Sequence, residues 1–182
     1  MTLNQSFPDV NPVFSQSRVF YVNISKIVIG YSSDILKIPA LGSCVGLVIY
    51  PRNITNHVAV MGHIMLPGTL KRKNSTNQKK NQSPAKYSDQ AVPKMIEKLE
   101  KLGFSIGDLD AKMVGGAKMF SSSSDTLHIG KENTRVITKL LKKYKIPLVK
   151  HYIGGDRGMK VRFNVKNYEL LVSPTGRSPI IL

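Results

Sequence analysis

VGLVIY at residues 45–50 and VAVMGHIML at residues 58–66 are two apolar runs, separated by PRNITN at residues 51–56. Proline and asparagine are favoured in turns, whereas short runs of valine, isoleucine and leucine are typical of buried strands. The pattern therefore predicts a β-hairpin with two buried strands. Such a hairpin, here called the central hairpin, returns the second run towards the start of the first run.

Further strands and two helices are predicted around this hairpin. The strands are one or two within residues 18–31, a short one at 34–38 that Pro39 ends, one at 111–114, one at 148–153, and a hairpin of 160–165 with 168–173. Apolar residues at helical spacing predict helices at 88–102 and 131–144. Ser88 or Asp89 is expected to cap the first helix, and Gly103 to end it. Strands dominate, so the class is α/β or α+β.

Length and composition predict a single domain. The chain has 182 residues, of which 41% are hydrophobic, which is enough for a core. Residues 1–17 lack the basic and then apolar pattern of a signal peptide, so we expect a loose N-terminal arm before a domain at 18–182. No run approaches the roughly 18 apolar residues of a membrane span, so membrane insertion is not expected. Cys44 is the single cysteine, which permits no internal disulfide and favours a cytoplasmic location.

The chain is strongly basic. It has 27 lysines and arginines against 11 acidic residues, a formal net charge of +16. Nucleic acid, an anionic membrane surface and an acidic protein surface are all attracted by such a charge. Residues 71–86, KRKNSTNQKKNQSPAK, predict a basic mobile loop that is either solvated or docks an acidic partner. Aromatic residues do not alternate with this loop and no common nucleic-acid motif occurs, which disfavours nucleic acid as the partner.

A thiol and an imidazole lie at the open end of the predicted central hairpin, away from its turn. Cys44 comes directly before the first strand, and His63 lies in the second. A cysteine nucleophile and its base require this kind of proximity. Gly42 and Ser43 offer main-chain N–H groups for an oxyanion. The competing interpretation is structural, because a solitary cysteine is more often a small buried hydrophobic residue than a nucleophile.

Other residues suggest weaker alternatives. His57 is six residues before His63, hence on the same face of an ideal strand, and is a rival base. One cysteine and four histidines without paired short spacings do not make a convincing ligand set, so no metal is expected. Gly115–Gly116 and Gly154–Gly155 predict tight turns, and no phosphate-binding loop motif accompanies them.

Five blocks of the sequence follow the order of blocks in a known family. They are LGSCVGLVIY with HIMLP, then KYSDQA, AKMVGGAKMF, IGKENTR and IGGDRGMKVRF, within roughly residues 22–176. In these blocks the chain resembles the CheD family of bacterial chemoreceptor glutamine deamidases. Five ordered blocks are more specific than the LGSCV block by itself.

The resemblance implies a fold, an activity and partners. Family members hydrolyse glutamine side chains of methyl-accepting chemoreceptors to glutamate and ammonia, with no cofactor. Cys44 matches the family nucleophile, and His63 matches the general base. The implied fold is a single-domain, layered α/β/β sandwich with largely antiparallel strands and two main helices. In some members the phosphatase CheC is a further partner.

One position departs from the family pattern. The third catalytic member of the family is a threonine six residues before the cysteine, and here that position is Ile38. An isoleucine side chain cannot accept a hydrogen bond from imidazole, and residues 36–41 contain no hydroxyl group. A main-chain carbonyl in this stretch is one alternative for orienting His63.

Two further hypotheses follow from the departure and from the charge. A chain without a well-held base would be an adaptor that binds chemoreceptors or CheC without catalysis. A nucleic-acid-binding protein is the third hypothesis, and it rests on the net charge and the basic loop.

Overall fold

The computed structural model describes residues 17–68, 83–119 and 129–182. These residues form ten strands and two α-helices. The strands are β1 (Val19–Tyr21), β2 (Ile27–Tyr31), β3 (Ile35–Leu41), β4 (Val45–Pro51), β5 (Val58–Ile64), β6 (Leu109–Gly115), β7 (Leu148–Ile153), β8 (Met159–Asn164), β9 (Leu170–Pro174) and β10 (Ile180–Ile181), and the helices are α1 (Ser88–Glu100) and α2 (Ile129–Lys143).

The strands form two five-stranded sheets. The central sheet has the order β2-β5-β4-β6-β7, and the outer sheet has the order β1-β3-β8-β9-β10. Neighbouring strands are antiparallel, apart from the parallel pairs β1–β3 and β6–β7. Both helices contact the central sheet. The helices, the central sheet and the outer sheet make three layers, which confirms the α/β/β sandwich.

Strand β4 separates two hydrophobic cores. Leu47 and Ile49 belong to the core under the helices, whereas Val48 and Tyr50 belong to the core between the sheets. Successive side chains of a strand point to opposite faces, and every residue of β4 is buried. A strand covered on both faces needs apolar residues throughout, which is why this segment is a continuous apolar run.

The predicted central hairpin is confirmed. β4 pairs with β5 in antiparallel register, with Val45 opposite Ile64 and Gly46 opposite His63. The predicted strands at 18–31, 111–114 and 148–153 and the later hairpin correspond to β1 with β2, β6, β7, and β8 with β9. The two-residue strand β10 was not predicted, because it is too short to show a periodicity.

The prediction that Pro39 ends a strand is wrong. β3 continues through Pro39 to Leu41. Its register with β8 shifts between Ile38 and Leu41, and a proline is tolerated at such an irregularity because no ladder N–H is required there. Pro39, Ala40 and Leu41 extend β3 to the corner that contains Cys44.

Both helices are confirmed, with a correction at the start of α1. Neither Ser88 nor Asp89 is its N-cap, since that residue is Tyr87, which makes no side-chain capping bond. The Ser88 hydroxyl donates instead to the Leu66 carbonyl at 3.0 Å. Gly103 follows the end of α1 at a φ of 89°, the left-handed conformation that commonly stops a helix.

The predicted N-terminal arm and most of the predicted basic loop lie outside the described residues. Of the loop, residues 83–86 are described and form a turn, in which Ala85 is buried. The Ala85 N–H donates to the Ser25 carbonyl at 3.1 Å. The described helices include none that is long and apolar enough to cross a membrane.

Candidate active site

The hairpin register brings Cys44 and His63 together. His63 lies opposite Gly46, and Cys44 is two residues before Gly46, so the two side chains are diagonal neighbours. Diagonal pairs on one face of a sheet are within reach of longer side chains. Cys44 is half-buried and packs against the core between the sheets, while His63 is 5% exposed.

Both side chains line an open cleft of about 460 Å³, here called the Cys44 cleft. It opens between the end of the central hairpin and the bulged end of β3. Its lining residues are Asn23, Ile24, Pro39, Ala40, Gly42, Ser43, Cys44, His63 and Met119. The site residues predicted from the sequence thus meet in one cleft, apart from His57 and Ile38, which do not line it.

A main-chain carbonyl fixes the tautomer of His63. Nδ1 of the ring lies 3.2 Å from the Val22 carbonyl oxygen. A carbonyl can only accept, so Nδ1 carries the proton and Nε2 is the nitrogen with a free lone pair. The expected main-chain acceptor is therefore present, but it belongs to the segment between β1 and β2 and not to residues 36–41.

Burial keeps the thiol and the imidazole neutral. Burial raises the pKa of the Cys44 thiol above its ordinary value of 9.0. Burial also lowers the pKa of His63 below 6.5, and the bond to Val22 opposes this shift. Both groups are then uncharged near neutral pH, and a neutral imidazole is the form that can accept a proton.

His57 does not take part in the cleft. It precedes β5 in a left-handed conformation, with a φ of 42°, so the alternation of an ideal strand does not extend to it. Its Nδ1 lies 3.1 Å from the Lys166 carbonyl. His57 is at the opposite end of β5 from His63, which removes it as a rival base.

Ile38 is a core residue. Its side chain is fully buried between the sheets. A Cβ atom on Gly46 would lie 3.0 Å from its Cδ1 atom, so Ile38 fills the space that glycine leaves opposite His63. Position 38 therefore contributes core packing and no side-chain hydrogen bond.

Three consecutive carbonyls hold the corner that carries Cys44. The Gly42 carbonyl accepts from the Ala117 N–H at 2.9 Å, and the Cys44 carbonyl accepts from the Gly116 N–H at 2.8 Å. The Ser43 carbonyl accepts from Asn133 Nδ2 at 3.2 Å. Within the described residues, no acceptor is bonded to the N–H of Ser43 or of Cys44.

Asn133 is a further residue of this corner, and the sequence-based predictions do not include it. It is fully buried in α2, in line with Ile137 and Leu141 on the apolar face of that helix. A polar residue within an apolar stripe was the available signal, since buried polar groups normally have a specific partner. The Val22 carbonyl had no such signal, because a main-chain acceptor carries no residue-type preference.

Gly115 allows the turn after β6 to approach Cys44. Its φ is 100°, and an added Cβ would lie 2.4 Å from the Cys44 carbonyl oxygen and 2.8 Å from the side chain of Leu41. Gly115→Ala is expected to lower the free energy of unfolding by about 3–5 kcal/mol, from backbone strain plus overpacking. Urea denaturation measures this change.

Substitutions at two other glycines are controls that separate the effect of backbone strain from that of overpacking. Gly103 has a φ of 89° with no atom near its added Cβ, whereas Gly107 has no atom near its added Cβ and no left-handed φ. We expect Gly103→Ala to cost about 1 kcal/mol and Gly107→Ala less than about 0.5 kcal/mol. If Gly115→Ala is as stable as Gly103→Ala, the backbone around Cys44 accommodates the added methyl group without a further loss of unfolding free energy.

Comparison with known proteins identifies the family. A family model described as CheD chemotactic sensory transduction matches residues 65–174. A chemoreceptor glutamine deamidase CheD of Halalkalibacterium halodurans is 37% identical over 139 residues, which are 75% of this chain and 82% of that protein. The chain belongs to the CheD family. A probable chemoreceptor glutamine deamidase CheD of Clostridium botulinum is 34% identical over 157 residues, 85% of this chain and 92% of that protein.

The two kinds of match cover the cleft differently. The CheD family model begins at Met65, after both Cys44 and His63. The alignment with the Clostridium botulinum CheD protein covers 85% of the chain, and leaves out too few residues at either end to miss these two positions. Membership of the CheD family is thus established, and the roles of Cys44 and His63 depend on the geometry of the cleft.

Proposed function

We propose that this chain is a glutamine deamidase of chemoreceptors, with Cys44 as nucleophile and His63 as base. The observation that carries the proposal is the pairing of a thiol and a neutral imidazole in one cleft, with Nδ1 of His63 bonded to the Val22 carbonyl. The names of the CheD relatives support chemoreceptors as the substrate.

The proposed reaction has two steps. His63 Nε2 takes the thiol proton as the Cys44 sulfur bonds to the amide carbon, and the carbonyl electrons move to oxygen. The tetrahedral intermediate collapses, the C–N bond breaks, and the proton from His63 leaves with ammonia. Water then attacks the thioester with His63 as base, which releases glutamate and restores the thiol.

The main chain at Cys44 is proposed to hold the oxyanion. The C=O and N–H of a trans peptide point in opposite directions. The Ser43 carbonyl is bonded to α2, so the Cys44 N–H points away from α2, towards the side where the outer sheet contributes Pro39 and Ala40 to the cleft. An N–H aimed at the developing charge stabilises the transition state.

The shape of the cleft favours a side chain presented by a protein. Ile24 is 52% exposed and Met119 is 42% exposed, and both line the open cleft. An apolar rim of this kind can contact the residues that surround a protruding glutamine, whereas small-molecule pockets bury most of their ligand. A free thiol at Cys44 also requires a reducing compartment, which favours the cytoplasm.

The non-catalytic alternative, an adaptor for chemoreceptors or CheC, is weakened by the bond between His63 and Val22. That alternative was motivated by Ile38, which leaves no threonine to orient the base. Because the Val22 carbonyl supplies an acceptor, the lack of a hydroxyl at position 38 does not leave the imidazole unheld.

The test is conversion of glutamine to glutamate on purified receptor cytoplasmic fragments, followed by mass spectrometry. Because Cys44 is the single cysteine, iodoacetamide gives a matched control that is modified at one thiol. We expect conversion by the untreated protein and none by the alkylated protein. Equal conversion by both, or binding of receptors without any conversion by the untreated protein, would refute the deamidase proposal.

The pH dependence follows from the two shifted pKa values. His63 must be neutral to act as base, and its pKa is lowered, so kcat/KM should fall on the acid side only below about pH 6.5. The Cys44 pKa is raised, so no thiolate accumulates in the plateau above that limb. A pH series of initial rates checks this, and an acid midpoint above 6.5 would contradict a buried neutral base.

A further inference from the structure

Asn133 occupies the point where the ladder of the central hairpin ends. The last pair between β4 and β5 is Val45 with Ile64. Beyond it the chains continue as Ser43–Cys44 on one side and Met65 on the other, without further pairing. Carbonyls at the end of a buried ladder need donors from elsewhere.

The side chain of Asn133 supplies those donors. Its Nδ2 atom donates to the Ser43 carbonyl at 3.2 Å and to the Met65 carbonyl at 3.0 Å. An amide nitrogen carries two hydrogens, so one group serves both carbonyls. Asn133 thereby joins the segment just before the nucleophile to the segment just after the base.

The amide oxygen of Asn133 indicates what the residue contributes. Oδ1 is buried and has no hydrogen-bond partner among the described residues. An unpartnered buried oxygen is unfavourable for stability. The two donated bonds are then the reason for asparagine at a position that is otherwise part of the apolar face of α2.

We propose that Asn133 is a positioning residue that turns the Ser43–Cys44 peptide so that the Cys44 N–H faces the substrate carbonyl. This inference rests on the proposed function, because it concerns the oxyanion of the Cys44 reaction. Holding the Ser43 carbonyl towards α2 fixes the opposite direction for the Cys44 N–H, since the peptide is planar. Asn133 acts through this N–H and does not touch the substrate.

The proposal predicts that replacing Asn133 lowers kcat and leaves the chemical reactivity of the Cys44 thiol almost unchanged. Asn133→Ala should lower kcat for deamidation about 10- to 100-fold with little change in KM, because oxyanion contacts act in the transition state. Alkylation of Cys44 by iodoacetamide displaces iodide and forms no oxyanion. Its rate should therefore stay within about threefold of the wild-type rate.

Thr134→Val is the matched control. Thr134 is the next residue of α2 and is also buried, but its hydroxyl donates within its own helix, to the Lys131 carbonyl at 2.8 Å. The kcat of the Thr134→Val protein should equal that of the wild type. If Asn133→Ala does not fold, Asn133→Ser replaces it, since serine keeps a donor but is too short to reach both carbonyls.

Each outcome decides the inference. An unchanged kcat in the Asn133 variant would overturn it, and so would faster alkylation in step with the lost activity, which is the mark of a loosened structure. A fall in kcat shared equally by Thr134→Val would also overturn it. The proposed function fails separately, if the wild type and Cys44→Ala release ammonia equally, and the inference then falls with it.

Discussion

Replacement of Cys44 by alanine is expected to lower kcat for glutamine deamidation by at least about 10⁴-fold. The variant removes the atom that would form the thioester in the proposed reaction, and no second cysteine exists in the chain to replace it. The residual rate would come from the oxyanion contact and His63, which do not supply a nucleophile. Ammonia release and mass spectrometry of receptor fragments measure the loss.

Cys44→Ser is the closest matched variant. It keeps the shape of the side chain, but an alcohol is a weaker acid than a thiol, so we expect a loss of about 10²–10⁴-fold. Urea denaturation should place both variants close to the wild type in stability, because Cys44 is only half-buried. Alanine activity above about one hundredth of the wild-type rate would contradict a covalent mechanism at this residue.

Replacement of His63 by alanine or glutamine is expected to lower kcat by about 10²–10⁴-fold, which is the usual contribution of a positioned general base. The effect is large here because the raised pKa of Cys44 leaves almost no thiolate at neutral pH. Without His63 the thiol would have to ionise unaided, so the activity of the variant should rise steadily with pH and show no plateau.

His57→Ala is the control for this prediction. His57 is bonded to the Lys166 carbonyl at the far end of β5, so its removal should change neither the rate nor the pH profile. A rate for His63→Ala within about fivefold of the wild-type rate would show that a group other than His63 accepts the thiol proton. A fall in the His57 variant would reopen the choice between the two histidines.

Local patterns predicted the parts of the fold that depend on neighbouring residues. The apolar runs on either side of residues 51–56 specified the hairpin, and with it the approach of Cys44 and His63. The division into two sheets could not be read in this way, because β3 pairs with β8 across more than a hundred residues. Such long-range pairings are decided by which faces pack together, and no local spacing records them.

Two local errors also have physical causes. Proline predicts the end of a strand because it cannot donate to a ladder, but the register shift of β3 removes that requirement at Pro39. The capping prediction at Ser88 failed because its hydroxyl bonds to the Leu66 carbonyl. Asn133 was visible as a polar residue in an apolar stripe, although its two acceptors come from segments far away in sequence.

The bond between His63 and the Val22 carbonyl makes the orientation of the imidazole independent of the side chain at position 22. A point mutation can replace the Val22 side chain, but every amino acid retains the carbonyl oxygen that accepts from Nδ1. An orienting side chain, by contrast, can be lost in a single substitution. The orientation of the His63 ring can therefore persist while the side chains around it, including the one at position 38, change.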